Sequence, residues 1–180
     1  ENTADDVYEE VFFFREIQSE ALKILLPTQE VNSDEEIQMF MAGISLGLRK
    51  YYKGNPQHIG ISRYKEFNKE TQRFDKYLVL FDTIPGGTGY LDKLFDKNSI
   101  NELIFRAYEA IMECSCQFQN KDGCYRCIYT YSNQYYQANL SRSGAESQFE
   151  KLVNLKDGWE QQTQPLNSLT RAGNIEESEL

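Results

Sequence analysis

Apolar residues recur along this chain in several rhythms, and each rhythm predicts a different element. Ile37, Phe40, Met41, Ile44, Leu48, Tyr51 and Tyr52 return at three- and four-residue intervals, which predicts an amphipathic helix over 34–52. Ser33 followed by Glu36 has the form of a capping box at its start, and Gly54-Asn55-Pro56 stops it. Tyr77-Leu78-Val79-Leu80-Phe81 is an unbroken apolar run of strand length, the pattern of a central strand covered on both faces. His58 to Phe67 partly alternates and predicts a second strand, with Asn68 to Asp75 as a turn. Val7 to Pro27 is rich in β-formers, with Val11–Phe14 and Ala21–Leu26 as two strands or one bent one.

The second half is more helical. Leu91, Leu94 and Phe95 suggest a short helix after Pro85-Gly86-Gly87-Thr88-Gly89. Ser99 with Glu102 forms a second capping-box pattern, and Ile100, Leu103, Ile104, Ala107, Tyr108 and Ile111 carry a helix up to the first cysteine. Ala145, Phe149, Leu152 and Val153 predict a last helix, and the chain from Lys156 reads as a polar tail. The expected fold is α+β: a small sheet, antiparallel or mixed, around Tyr77–Phe81, flanked by helices, in a domain of residues 1–155 with a metal subdomain at about 112–142.

Charge changes this picture locally. The net charge is −9, yet residues 1–36 hold eleven acids against Arg15 and Lys23, so the remainder is formally neutral. Between Arg49 and Lys76 the sign reverses, with eight basic residues facing Glu66, Glu70 and Asp75. Arg49, Lys50 and Lys53 are therefore candidates for a phosphate-facing surface, although a solvated charged face is the commoner meaning of such runs. With 40% hydrophobic residues the chain can fill a core. No apolar run has the length of a membrane span, so a cytoplasmic protein without membrane contact is expected. A chain opening on Glu1 is expected to be a processed product or a piece of a longer protein.

All four cysteines fall in Cys114-Ser115-Cys116 and Cys124-Tyr125-Arg126-Cys127. Clustered thiolates satisfy the tetrahedral preference of Zn²⁺, and Gly123 permits a tight turn beside the second pair. An iron–sulfur cluster and two disulfides are the alternatives. Closure by four thiolates leaves no position for water, which favours a structural ion over a catalytic one. Gly86, Gly87 and Gly89 sit between a strand and a helix, where backbone N–H groups could cradle an anion; a plain tight turn is the competing reading. No Walker lysine or dinucleotide fingerprint accompanies them. His58 has no nucleophilic partner in the sequence. Arg126, Tyr135, Tyr136 and Arg142 interleave cations and aromatics beside the cysteines, a combination suited to stacking bases and pairing phosphates; the alternative is that the aromatics cover the metal module while Arg126 and Arg142 make internal hydrogen bonds.

Three stretches resemble the MrfA-type zinc-binding domain found at the C-terminal end of superfamily 2 DEAD/DEAH-box helicase-like proteins. They are Phe14 to Pro27, Phe81 to Tyr90, and the two cysteine pairs with Gly123, extended by Tyr131-Ser132-Asn133-Gln134 and Ser141-Arg142. The resemblance spans about residues 8–155. It implies an accessory domain with no chemistry of its own, attached to an ATP-driven DNA motor or to a non-catalytic partner of one. The setting it implies is DNA repair or anti-phage defence of the DISARM or Druantia kind. DNA, single-stranded in preference to duplex, is the expected ligand of such an assembly. A protein-protein docking module without DNA contact is the alternative, and an independent hydrolase built on the glycine loop comes last because it lacks partner residues.

Overall fold

The computed structural model describes residues 16–26, 31 and 33–154. Three strands, β1 (Ala21–Leu25), β2 (Ile59–Asn68) and β3 (Arg73–Asp82), form an antiparallel sheet in the order β1-β3-β2. The expected central strand is central, but it begins four residues before Tyr77. Asn68 and Arg73 pair directly, so the turn is confined to 69–72. The sheet is wholly antiparallel among the described strands. The proposed strand at Val11–Phe14 and the tail from Lys156 lie outside the described residues.

Alternation along the strands gives the sheet two faces. Leu22, Ile24, Leu78 and Leu80 point to one, and all are buried in the core with Ile37, Phe40 and Ile44 of α1 (Asp34–Tyr51). α2 (Lys97–Met112) and α3 (Arg142–Asn154) complete this layer. α1 is built as its sequence predicts. The Ser33 hydroxyl accepts from Glu36 N at 3.1 Å, and the Glu36 carboxylate accepts from Ser33 N at 2.8 Å. At its other end Lys53 takes a left-handed φ of 53° and Gly54 N donates to Arg49 O at 3.0 Å, closing the last turn. Helix α1 approaches its neighbours closely, because a Cβ at Gly43 would lie 2.2 Å from the Phe149 ring of α3.

α2 starts earlier than its sequence suggests. Asp96, not Ser99, is the N-cap: its carboxylate accepts from Asn98 N at 2.9 Å and from Ser99 N at 3.1 Å. Ser99 instead donates its hydroxyl to Asp96, and Glu102 pairs with Arg106 one turn on at 2.5 Å. An aspartate three residues upstream performs the capping that the Ser99-x-x-Glu102 pattern imitates.

Candidate metal centre

The cysteines occupy two turns that the fold presses together. Cys114 follows the last turn of α2 and precedes a 3-10 segment, Ser115–Gln119. The second pair lies on one tight turn, in which Cys127 N and Tyr129 N both donate to Cys124 O at 3.1 Å. Gly123 leads into that turn with a φ of 151°, and a Cβ there would lie 2.6 Å from the Tyr129 ring. The glycine is required by conformation and by space alike.

All four Sγ atoms lie within 4.8 Å of one another. The separations of Cys114 from Cys124, of Cys124 from Cys127 and of Cys116 from Cys127 are 3.5, 3.6 and 3.8 Å. A tetrahedron with Zn–S bonds of about 2.3 Å has edges of about 3.8 Å, so the thiols fit Zn²⁺. They are free thiols at a spacing no disulfide adopts, which removes the disulfide alternative. Cys114, Cys116 and Cys127 are buried and Cys124 is partly exposed. Burial pushes the Cys116 thiol up to about 11 and that of Cys127 higher still. Cys124 also feels burial, but the backbone N–H of Arg126 and neighbouring thiols hold it down to about 7. A bound cation is what allows four such groups to be thiolates together.

Asp122, which no motif marked, and Asn133, within the Tyr131–Gln134 stretch of the resemblance, hold this module in place. Asp122 accepts from Ser143 N at 2.8 Å and from the Ser141 hydroxyl at 2.6 Å, and its carbonyl accepts from Arg142 N at 2.9 Å. It thereby fastens the cysteine loop to the N-terminus of α3. Asn133 accepts from Thr130 N at 2.8 Å and donates to Ile128 O at 2.8 Å, anchoring the 3-10 segment Tyr131–Asn139 just after Cys127. Asp and Asn before or inside a turn were the available signals, and they are too common to single out.

The candidate nucleic-acid residues separate into two kinds. Lys50, Lys53, Arg126, Tyr135 and Tyr136 are exposed. Arg49 is partly buried, and Arg142 is buried with its guanidinium donating to Glu146 at 2.5 Å. At Arg142 the geometry matches the internal-hydrogen-bond alternative and not a surface cation, because its helix turns it toward its own i+4 carboxylate.

At the glycine loop the geometry favours the tight-turn reading. Gly86, Gly87 and Gly89 have φ values of 86°, 78° and 75°, so the turn does need glycine. Its N–H groups, however, are spent on the chain's own acceptors. Ile84 N and Thr88 N donate to the Asp82 carboxylate at 2.9 and 2.8 Å, Gly89 N donates to Glu20 Oε2 at 3.0 Å, and Gly86 N donates to Gln18 O at 2.9 Å. Two protein carboxylates already fill the place of an external anion. The helix that follows, Leu91–Leu94, has only four residues and adds no anion-binding dipole of consequence. His58 stacks edge-on against Tyr90, with ring centroids 4.6 Å apart.

Among the described residues no helix is long and apolar enough to cross a membrane. No curated protein and no solved structure matches the chain. Residues 40–128, which carry most of α1, the β2–β3 hairpin, the glycine loop, α2 and all four thiols, match the model of the MrfA Zn-binding domain.

Proposed function

We propose that this zinc-binding domain serves a DNA helicase or translocase-like ATPase, in the same chain or as a partner subunit, by supporting its hold on single-stranded DNA in repair or anti-phage defence. The observation that carries the reading is the surface of the metal module. Tyr131 and Tyr135 are 83% and 87% exposed, beside an exposed Arg126 and a half-exposed Tyr136. A module this small is expected to fold its aromatics inward over the metal. Leaving several outside costs apolar exposure, and stacked bases supply the missing partner. The closed thiolate set offers no site for a reacting water, which fits an accessory role.

The test is binding of a fluorescein-labelled oligothymidylate by the full chain, followed by anisotropy between about 50 and 200 mM salt. Binding that weakens steeply with salt, and that drops when Tyr135 and Tyr136 are both replaced by alanine, is the expected result. No binding at the lowest salt would replace this reading with protein-protein docking.

A further inference from the structure

The β2–β3 hairpin outruns the rest of the sheet. Strand β1 pairs with β3 only from Tyr77 to Phe81, and toward the hairpin tip one further bond runs from Leu26 N to Lys76 O. The pairs Glu66–Asp75, Phe67–Phe74 and Asn68–Arg73 therefore continue as a two-stranded ribbon with no third described strand beside them. At roughly 3.3 Å per residue it projects by roughly 10 Å.

Its two faces differ in kind. On one, Glu66 is paired with Lys23, Asp75 accepts from Asn68 Nδ2 at 2.8 Å, and Lys23 Nζ sits 4.0 Å from the centroid of the Tyr77 ring. Glu66, Asp75 and Lys23 are thus engaged inside the protein, while Arg73 on the same face is exposed. The other face continues the line of Leu78 and Leu80 past the end of the helices. It carries Arg63, which reaches Asp34 at 3.0 Å, then Lys65 directly opposite Lys76, then Phe67 opposite Phe74. Like charges placed opposite each other weaken a hairpin. The two phenylalanines contact each other edge-on with centroids 5.3 Å apart, yet stay 46% and 65% exposed. Their mutual contact leaves nearly half of Phe67 and most of Phe74 in water.

We propose that this ribbon face is a second contact for single-stranded nucleic acid, with Phe67 and Phe74 as a stacking platform and Lys65, with Lys69 at the tip, meeting phosphates. The inference rests on the DNA-supporting role proposed above, but it uses a surface that zinc does not build. Charge and chemistry select this occupant. Exposed Lys65 and Lys69 beside open aromatic faces suit a chain of phosphates with unstacked bases, whereas a duplex hides the base faces.

The experiment uses the full chain with oligothymidylate and, separately, a duplex of equal length. Phe67→Leu/Phe74→Leu keeps an apolar cross-strand pair and should weaken single-strand binding at least about tenfold. Phe67→Trp/Phe74→Trp should retain it. Lys65→Gln/Lys69→Gln should lower the slope of log affinity against log salt by about 1.4, two phosphate contacts for a single strand. Zinc content and melting midpoint are recorded for each variant, and the tryptophan pair reports on stacking if the leucine pair loosens the hairpin. Native affinity in the leucine pair, or equal loss in the leucine and tryptophan pairs, would overturn the ribbon contact. Loss confined to Tyr135→Ala/Tyr136→Ala would overturn it while leaving the zinc-side reading intact. Failure of the native chain to bind any DNA would remove both.

Discussion

Arg49, near the end of α1, donates from Nη2 to the carbonyl oxygen of Cys127 at 2.6 Å, although 78 residues separate them in sequence. The bond ties the longest described helix to the last of the four metal ligands. It also removes Arg49 from the solvated basic run in which it stands, since burial rather than solvent surrounds its guanidinium.

Four thiolates around Zn²⁺ carry a formal excess of negative charge, and Arg49 is a cation within hydrogen-bond reach of their backbone. Replacing it with alanine should weaken zinc binding on the order of tenfold, the lower end for partners that orient metal ligands. Competition against a chromogenic chelator measures this. Lys50→Ala, one residue on and exposed, should leave zinc affinity unchanged. Equal behaviour of the two variants would reduce the Arg49 contact to packing.

Elemental analysis should find one zinc per chain, and Cys124→Ser should lose it. Structural zinc contributes on the order of 10–16 kcal/mol of apparent binding energy in small finger peptides, more than a loop of this size recovers by packing. Amide exchange should therefore rise across Cys114–Tyr136 and, through Asp122, at the start of α3. The β2–β3 hairpin, held by its own ladder, should stay protected. A Cys124→Ser protein with full zinc and native exchange would exclude this ligand set.

The cysteine quartet was legible because its chemistry is local in sequence: two short pairs, one glycine, no other thiols. Helix α1 was legible for the same reason, since Ser33, Glu36 and a periodic apolar face all lie within one segment. Asp82 was not. Its role depends on Glu20, far upstream, sharing the glycine loop with it, and a sequence shows a turn rich in N–H donors without showing what occupies them. For Arg142 the sequence left surface and internal readings open, because only the docking of Asp122 against Ser141 and Ser143 fixes which way its helix faces. The start of α2 was missed because Ser99 and Asp96 offer equivalent local patterns, and the spatial competition between them is decided by the helix they cap.

Asp82 yields a pH signature. Burial alone would raise its carboxyl, but the Thr88 hydroxyl, the N–H groups of Ile84 and Thr88, and His58 together hold it below the usual carboxylate range. A depressed folded-state value means that the contribution is present above the unfolded value of about 3.9 and is lost as pH falls through the folded one. Asp82→Asn keeps the shape but turns one acceptor into a donor facing an N–H group. It should cost about 1–3 kcal/mol near neutrality. The gap between native and variant stability in denaturant should be flat from about pH 8 to 5 and close only below about 4. A gap that narrows around neutrality would assign the effect to another group.

Arg126 and Arg142 make opposite predictions from similar chemistry. Arg142 is buried, bonded to Glu146, and its carbonyl-paired backbone joins α3 to the cysteine loop. Truncating it to alanine removes a part-buried charged hydrogen bond and leaves the carboxylate behind, so a loss of about 1–3 kcal/mol in stability is expected. Any change in DNA affinity should follow only from that loosening, and should vanish at temperatures where the variant is fully folded. Arg126 is exposed on the turn between the second pair of thiols, so its replacement by alanine should leave melting and zinc content as they are. If the metal module touches DNA, the same change should weaken single-strand binding severalfold and lower the salt slope by about 0.7, one phosphate contact. Anisotropy titrations at two salt concentrations, run beside thermal melts of both variants, separate these cases. An Arg126→Ala protein with native affinity and native salt slope would take this arginine out of the interface, and would leave Tyr135 and Tyr136 to carry the zinc-side contact alone.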